Sequence, residues 1–344
     1  MRIAVDAMGG DNAPREIVKG ALAAAQSDKN LEIILVGRED RVGQGVSTLP
    51  DNVSVVHAAE VIENEDKPLM AIRRKRNASM VVALQMLKEG QVDAVVSAGN
   101  TGALMAGASL LVGRIPGVNK PALAPVFPTE DGRGVVAVDI GAAMDPRPEN
   151  LYQYAIMGNL YYKAVFGTER PRVGLLNIGV EPEKGNELVK ETYKKLAASE
   201  LNFIGNVEAR DVLQGQCDVL ICDGFVGNIL LKGCEGLAKS VMYWMKGVMT
   251  KNPVRMTGAM LARNAFKDLK SFADAEDIGG APLLGINGIV IIAHGSSSPR
   301  AVRNGIKVAG EFVKFGINDK IINRVKETGA LASQTDLDPA ENKN

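Results

Sequence analysis

The sequence predicts an α/β fold with a mostly parallel sheet covered by helices on both faces, in three layers, and three observations predict it. Apolar runs rich in Val and Ile recur at residues 3–5, 31–36, 53–57, 94–97, 135–138, 173–177, 202–204, 219–222 and 289–293. Their apolarity is continuous rather than alternating, as strands buried on both faces require. Segments of helical length separate most of them, among them 14–25, 70–89, 149–166 and 185–199, and this alternation is the pattern of parallel strands joined by helical crossovers. The 37 glycines suit a fold with many short strand-to-helix turns.

Composition narrows the classes of function. At 46% hydrophobic and 23% charged residues the chain has the make-up of folded domains, and 344 residues allow two domains or one large α/β unit. Forty basic residues balance forty acidic ones. A protein that coats duplex nucleic acid needs a basic excess, so no nucleic-acid partner is expected. Cys217, Cys222 and Cys234 form no C-x-x-C pair and read as small buried hydrophobes of a reducing compartment. Asp6 interrupts the first apolar run, so no signal peptide is expected. The longest nearly apolar stretches, 102–113 and 286–293, fall short of the ~18–20 residues that a spanning helix needs. A cytoplasmic protein is expected, with a disordered polar tail over 329–344.

In such a sheet, ligands collect beyond the carboxyl ends of strands, where loops and helix N-termini present free N–H groups. The loop after the first strand reads Asp6-Ala7-Met8-Gly9-Gly10-Asp11-Asn12-Ala13-Pro14, a capped helix entry that doubles as a candidate anion site. The loop after 94–97 offers Gly99, Asn100 and Thr101 ahead of an apolar helix and is the better phosphate candidate. Three more loops share the design: one with Lys184 and Asn186, one from Asp223 to Asn228, and one with His294 and Ser296. His294 follows the strongest strand pattern and is a candidate catalytic residue, with Asn228 and Asp223 beside it. His57 is the weaker of the two histidines. No G-x-G-x-x-G, Walker, H-E-x-x-H or G-x-S-x-G motif occurs, so dinucleotide binding, zinc hydrolysis and a serine triad lack support, and no metal or cofactor is expected.

Two charged regions stand apart. Arg73, Arg74, Lys75 and Arg76 form a basic run that suits docking of an acidic partner. Residues 232–270 hold eight Lys and Arg against two Glu and Asp, with five methionines between Met242 and Met260 and the only tryptophan, Trp244. Apolar residues recur there at helical spacing and Asn252-Pro253 breaks the pattern. A protruding amphipathic helix pair over 232–272 is expected, in which Trp244, Met245, Met256, Met260 and Leu261 serve a subunit interface, an anionic membrane surface, or both.

Several blocks, in order, resemble one family. They are Met-Arg-Ile-Ala-Val-Asp-Ala-Met-Gly-Gly-Asp-Asn-Ala-Pro at the start, Ser-Ala-Gly-Asn-Thr-Gly-Ala-Leu at 97–104, Lys-Pro-Ala-Leu-Ala-Pro at 120–125, Gln-Tyr-Ala-Ile-Met-Gly at 153–158, Gly-Asn-Val-Glu-Ala-Arg-Asp at 205–211 and Ala-His-Gly-Ser-Ser at 293–297. The chain resembles, from residue 1 to about 325, the bacterial phosphate acyltransferases that act on acyl-acyl-carrier-protein in phospholipid synthesis. The resemblance implies transfer of a long acyl chain from acyl carrier protein to inorganic phosphate, for use by a membrane-bound glycerol-3-phosphate acyltransferase. It also implies a homodimer, peripheral membrane association, and a fold similar to isocitrate and isopropylmalate dehydrogenases, with two intertwined lobes over 1–118 with 280–328 and 119–279.

Three other readings are open at this stage. A phosphotransacetylase-like enzyme would use acyl-CoA as donor. An NAD-dependent β-decarboxylating dehydrogenase would share the fold but needs a carboxylate cluster. A non-catalytic membrane scaffold would need only the helix pair.

Overall fold

The computed structural model of the chain describes residues 1–43, 48–266 and 279–327. Two sheets organise it. The first holds β1 (Arg2–Asp6), β2 (Glu32–Gly37), β3 (Val53–His57), β4 (Ala94–Ser97), β5 (Ala122–Leu123), β11 (Ala281–Leu284) and β12 (Ile289–Ile292), in the order β3-β2-β1-β4-β12-β11-β5. The five strands from β3 to β12 run parallel. β11 turns back antiparallel between β12 and β5. The second sheet holds β6 (Val126–Phe127), β7 (Val135–Val138), β8 (Val173–Asn177), β9 (Phe203–Glu208) and β10 (Val219–Ile221), in the order β6-β7-β10-β8-β9. Only β6 runs antiparallel there.

The apolar runs of the inner strands are covered on both faces, whereas the edge strands β3 and β9 are covered only in part. On β1, Ile3, Ala4 and Val5 are all buried; Val5 lies between Leu35 of β2 and Val96 of β4. Burying such a side chain stabilises the fold by about 1.5–3 kcal/mol. The helices are α1 (Arg15–Ser27), α2 (Glu39–Val42), α3 (Pro68–Arg74), α4 (Ser79–Lys88), α5 (Thr101–Gly107), α6 (Pro148–Phe166), α7 (Glu187–Ala197), α8 (Gly224–Met249), α9 (Pro253–Leu261), α10 (Pro299–Phe315) and α11 (Ile317–Glu327). A π-helical turn, Ala108–Val112, continues α5. α1 and α10 pack closely at Gly20, where a Cβ would come within 2.6 Å of the Pro299 carbonyl and of Val302.

Three expectations change. The segment 70–89 is two helices, because Lys75 is drawn out to Asp66 at 2.5 Å and to the Val61 carbonyl, while Ala78 bridges Glu60 in extended conformation. Residues 122 and 123 pair with β11 in the first sheet, although they lie beyond the expected lobe boundary at 118. α8 begins at Gly224 rather than 232, capped by Asp223, and Asn252 caps α9 where the break was expected. The end of the expected helix pair, 267–272, and the tail 329–344 lie outside the described residues.

Candidate functional site

The carboxyl ends of β1, β4 and β12 are neighbours, and their loops meet. Asp6 closes β1 and is 1% exposed. Its Oδ1 accepts from the Met8 and Gly9 main-chain N–H groups at 3.2 and 3.1 Å, and its Oδ2 accepts from the Ser97 hydroxyl at 2.7 Å. Ser97 Oγ in turn accepts from the Gly99 N–H at 3.1 Å. One buried carboxylate therefore ties the β1 and β4 loops together. Gly9 is required there, since a Cβ would lie 2.5 Å from Asp6 Oδ2 and 2.8 Å from the Gly99 nitrogen. The β12 loop joins through Asp11, whose N–H donates to the Gly295 carbonyl at 2.8 Å. Gly10, at φ +117°, lies between Gly295 and Ala98, and its left-handed backbone leaves no room for a side chain.

Within this cluster the predicted residues separate by what their side chains already do. Asn100 caps α5, its Oδ1 accepting from the Ala103 N–H at 2.9 Å, and its Nδ2 donates to the Glu63 and Asn64 carbonyls at 3.1 Å each. Its amide is thus engaged at both ends. Asn100 positions the loop, and the exposed Thr101 is the side chain of that turn that faces solvent. His294 is exposed. The Ser296 N–H donates to its Nδ1 at 3.2 Å, and the Ser296 hydroxyl lies 2.8 Å from the same atom. An accepting Nδ1 leaves the proton of the neutral ring on Nε2.

A polar cavity of about 380 Å³ opens beside these loops, lined by Asn12, Ala13, Arg15, Glu16, Ser296, Ser297 and Ser298. It lies at the N-termini of α1 and α10, where free N–H groups and the aligned peptide dipoles favour an anion. Ser298 caps α10 from the Ala301 N–H. Sequence reasoning offered the first-strand loop with Asn12 as a candidate anion site but did not single out Arg15 or join that loop to the serine run, because only the pairing of β1, β4 and β12 brings the two together.

On the second sheet a parallel arrangement appears. Asp139 follows β7, fully buried, and accepts from the N–H groups of Leu123, Gly141, Ala142 and Ala143. Burial raises the carboxyl groups of both Asp6 and Asp139 above the ordinary range, more than their hydrogen bonds lower them. Neither aspartate was singled out from sequence as a buried buttress. Asp223 accepts from the Phe225 and Val226 N–H groups at 3.0 and 2.9 Å and is occupied as a cap. Asn228 stands over Gly141, which is at φ +143°, and its amide makes no hydrogen bond among the described residues. Asn186 caps α7 from the Val189 N–H at 3.0 Å, and Asn177 holds the loop by donating to the Lys184 carbonyl. Lys184 itself is exposed with no ion pair among the described residues. The hydrogen bonds of the Lys184 carbonyl and of Asn186 stay within the second sheet's loops, and those of Asn100 and His294 within the first's.

The basic run is divided. Lys75 is held by Asp66, whereas Arg73, Arg74 and Arg76 are exposed. Along α8 only Gly224 and Gly227 are buried, and α9 buries nothing. Trp244, Met256, Met260 and Leu261 are exposed and Met245 is half-buried. No helix among the described residues is long and apolar enough to cross a membrane. No group of His, Cys, Asp or Glu there could hold a metal. Cys222, fully buried, donates its thiol to the Asp139 carbonyl, and burial pushes its pKa well up.

Residues 1–320 match the family described as fatty acid synthesis protein. The chain belongs to that family. It is 49% identical over 322 residues to a phosphate acyltransferase of Brevibacillus brevis, covering 93% of this chain and 96% of the relative. A phosphate acyltransferase of Thermoanaerobacter pseudethanolicus is 48% identical over 327 residues, covering 95% and 97%. Among solved structures, a branched-chain phosphotransacylase from Enterococcus faecalis superposes with a TM-score of 0.57 at 15% identity, covering 91% of this chain and 99% of that one. A phosphotransacetylase from Staphylococcus aureus superposes at 0.55 with 17% identity, covering 90% and 94%. The likeness to these two lies in the fold.

Proposed function

We propose that this enzyme moves a long-chain acyl group from acyl carrier protein to inorganic phosphate, forming an acyl phosphate for phospholipid synthesis. Family membership and relatives named phosphate acyltransferase support acyl transfer to phosphate. The observation that carries the reading to a site is the meeting of the β1, β4 and β12 loops around a polar cavity at two helix N-termini. A phosphate dianion leaving water loses several kcal/mol per charge, and each charge-assisted hydrogen bond returns about 1.5–3 kcal/mol, so three or four donors suffice. Arg15 and Ser296 line that cavity, and with the main-chain N–H groups of these loops and Thr101 at the start of α5 they are the donors assigned to phosphate in this reading.

The chemistry asks little more of the protein. An oxygen of HPO4²⁻ attacks the thioester carbonyl carbon, the C–O bond forms, the C–S bond breaks, and the departing thiolate takes, directly or through water, the proton that the phosphate gives up, while His294 Nε2–H is placed to hydrogen-bond the sulfur or a phosphate oxygen. A thiol has a pKa near ~8.5, so the leaving group needs no strong acid. Alignment of phosphate with the carbonyl contributes up to about 7–11 kcal/mol and an oxyanion donor about 3–4 kcal/mol. Lys184 and Asn228, with unoccupied polar groups, are the donors assigned to the carbonyl side. In this reading the two sheets are the cores of two lobes, 1–118 with 280–328 and 119–279 except for β5, which crosses into the first sheet, arranged as in isocitrate and isopropylmalate dehydrogenases. Arg73, Arg74 and Arg76 receive the acidic carrier. The exposed face of α8 and α9 serves a homodimer and an anionic membrane surface, near the glycerol-3-phosphate acyltransferase that takes the product.

Pure protein incubated with palmitoyl-acyl-carrier-protein and labelled phosphate should give labelled palmitoyl phosphate, with thiol release that stops when phosphate is left out. Release without phosphate would refute the reaction. Lys184→Ala should lower kcat/KM about tenfold or more with unchanged thermal stability; wild-type kinetics would remove Lys184 from the site. Palmitoyl-CoA in place of the carrier thioester separates this enzyme from a phosphotransacetylase.

A further inference from the structure

A second cavity, larger than the one at the rim, lies away from those loops. It measures about 790 Å³ and runs between the end of α3, the outer face of α4 and the π-helical turn. Its walls are mainly apolar, formed by Val56, Ile72, Val82, Met86, Leu110 and Leu111. Leu110 is 46% exposed, an unusual place for a leucine beside so large an apolar hollow. Arg73 and Arg76 stand at the cavity, exposed and without an ion pair among the described residues. The other polar lining is already closed on itself: Glu89 accepts from Gln85 Nε2 at 2.7 Å and from Gln91 Nε2 at 2.8 Å.

We infer that this cavity binds a single-chain lipid anion, with the hydrocarbon tail along the apolar walls and the anionic head at Arg73 and Arg76. The volume falls within the ~300–1,000 Å³ of small-ligand sites. The lining is apolar with two unpaired cations at one place, the complement of a molecule that is apolar along its length and charged at one end. A short peptide or a sugar would leave most of that wall in contact with polar groups, at a desolvation cost. The cavity is also connected to the rim by structure. α5 starts at the Asn100 cap, and Leu110 follows Asn100 by ten residues, roughly 15 Å along the helix. An occupied cavity therefore touches the same continuous helix that begins at the candidate phosphate loop. Fatty acids and acyl phosphates share the required chemistry. The inference goes beyond the reaction proposed above and is measured without it; a carrier protein docked on Arg73 and Arg76 would compete with this ligand for the same two cations.

Equilibrium binding to the full chain, followed by displacement of a fluorescent fatty acid, tests it. Hexadecyl phosphate stands for an acyl phosphate, palmitate for a fatty acid, and hexadecanol for the tail alone, each below its micellar range. Saturable binding of one molecule per chain is expected, tightening about tenfold for every two carbons added between C10 and C14. Hexadecanol should bind about tenfold or more weakly than the anions. The ratio of hexadecyl phosphate to palmitate tells which head the arginines prefer, and either preference supports the site. Arg73→Gln with Arg76→Gln should erase the gap between anion and alcohol. Leu110→Asp, at an exposed position that does not endanger folding, should weaken all three at least tenfold. Val82→Phe should shorten the longest chain that still binds tightly. Affinity unmoved by Leu110→Asp and by the double Arg variant would overturn the assignment. A change of oligomeric state in Leu110→Asp would make the groove an interface between copies and would overturn it equally. Absence of acyl phosphate in the transferase assay would refute the reaction and leave this binding result standing.

Discussion

At the rim of the first sheet the polar groups are buried and tied to one another, whereas along α8 and α9 the apolar groups stand in solvent. Asp6, Ser97, Gly9 and Gly99 form a closed set of hydrogen bonds between two loops. Tyr243, Val254, Met260 and Leu261 are each more than two-thirds exposed. The rim is therefore complete within one chain, and its loops are held in one geometry before any ligand arrives. The helix pair has an apolar surface that the described residues do not cover, which is the mark of a region that acts through contact with something else. Preorganisation belongs to the first region and association to the second.

The largest break in that comparison should come from the buried carboxylates. Asp6→Ala leaves two main-chain N–H groups and the Ser97 hydroxyl without their acceptor, a loss of about 3–5 kcal/mol, or roughly 10 °C in Tm. Calorimetry measures it, and a shift under 2 °C would show the lacing to be dispensable. The pH dependence sharpens the point. Burial is the main cause that raises Asp6, against hydrogen bonds from Ser79, Ser97, Met8 and Gly9 that lower it. Folded Asp6 holds its proton to higher pH than the unfolded group with its ordinary value of 3.8. Its titration favours folding at low pH and loses that contribution as pH rises through the raised folded value. Asp6→Asn removes this slope, so urea midpoints should favour the wild type over the variant increasingly as pH falls from 7 toward 4.

A smaller effect comes from one substitution made in both regions. Gly9→Ala should cost about 1–3 kcal/mol, because the new Cβ would press on Asp6 and on the Gly99 backbone. Gly236→Ala, within α8 and with nothing within 4 Å of the added carbon, should stabilise the helix by about 0.5–1 kcal/mol. Equal signs in denaturant titrations would remove the contrast between the two regions.

The smallest effect on stability should come from the helix tips. Trp244→Ser with Leu261→Ser should change stability by no more than about 0.5 kcal/mol, while partition onto vesicles of anionic lipid falls several-fold. Unchanged partition in a flotation assay would leave this face to a protein partner.

Much of the fold was legible. The runs at 3–5, 94–97 and 289–293 became β1, β4 and β12 because a strand covered on both faces needs apolar residues at consecutive positions. The two-residue strands β5 and β6 were not legible, since a pair of residues has no period and its pairing depends on β11 and β7 arriving from elsewhere. The break between α3 and α4 was hidden too, because Asp66 and Glu60, which draw out Lys75 and Ala78, precede the helical pattern. At the site, the strand-end loops were visible as clusters of Gly, Asn and Ser. What was not visible was which of their side chains were taken: Asn100, Asn186 and Asp223 are caps, and Thr101, Lys184 and Asn228 have no side-chain partner among the described residues.

The chain by itself determined where strands and helices form and which turns are polar, because periodicity and turn chemistry act between near neighbours along the backbone. Only the tertiary structure decided that Asp6 would link two loops ninety-one residues apart, that Asn12, Arg15 and Ser296 would share one cavity, and that Arg73 and Arg76 would stand over another. Whether a polar group is free or engaged depends on the partner that packing brings to it, and that partner has no fixed distance in sequence.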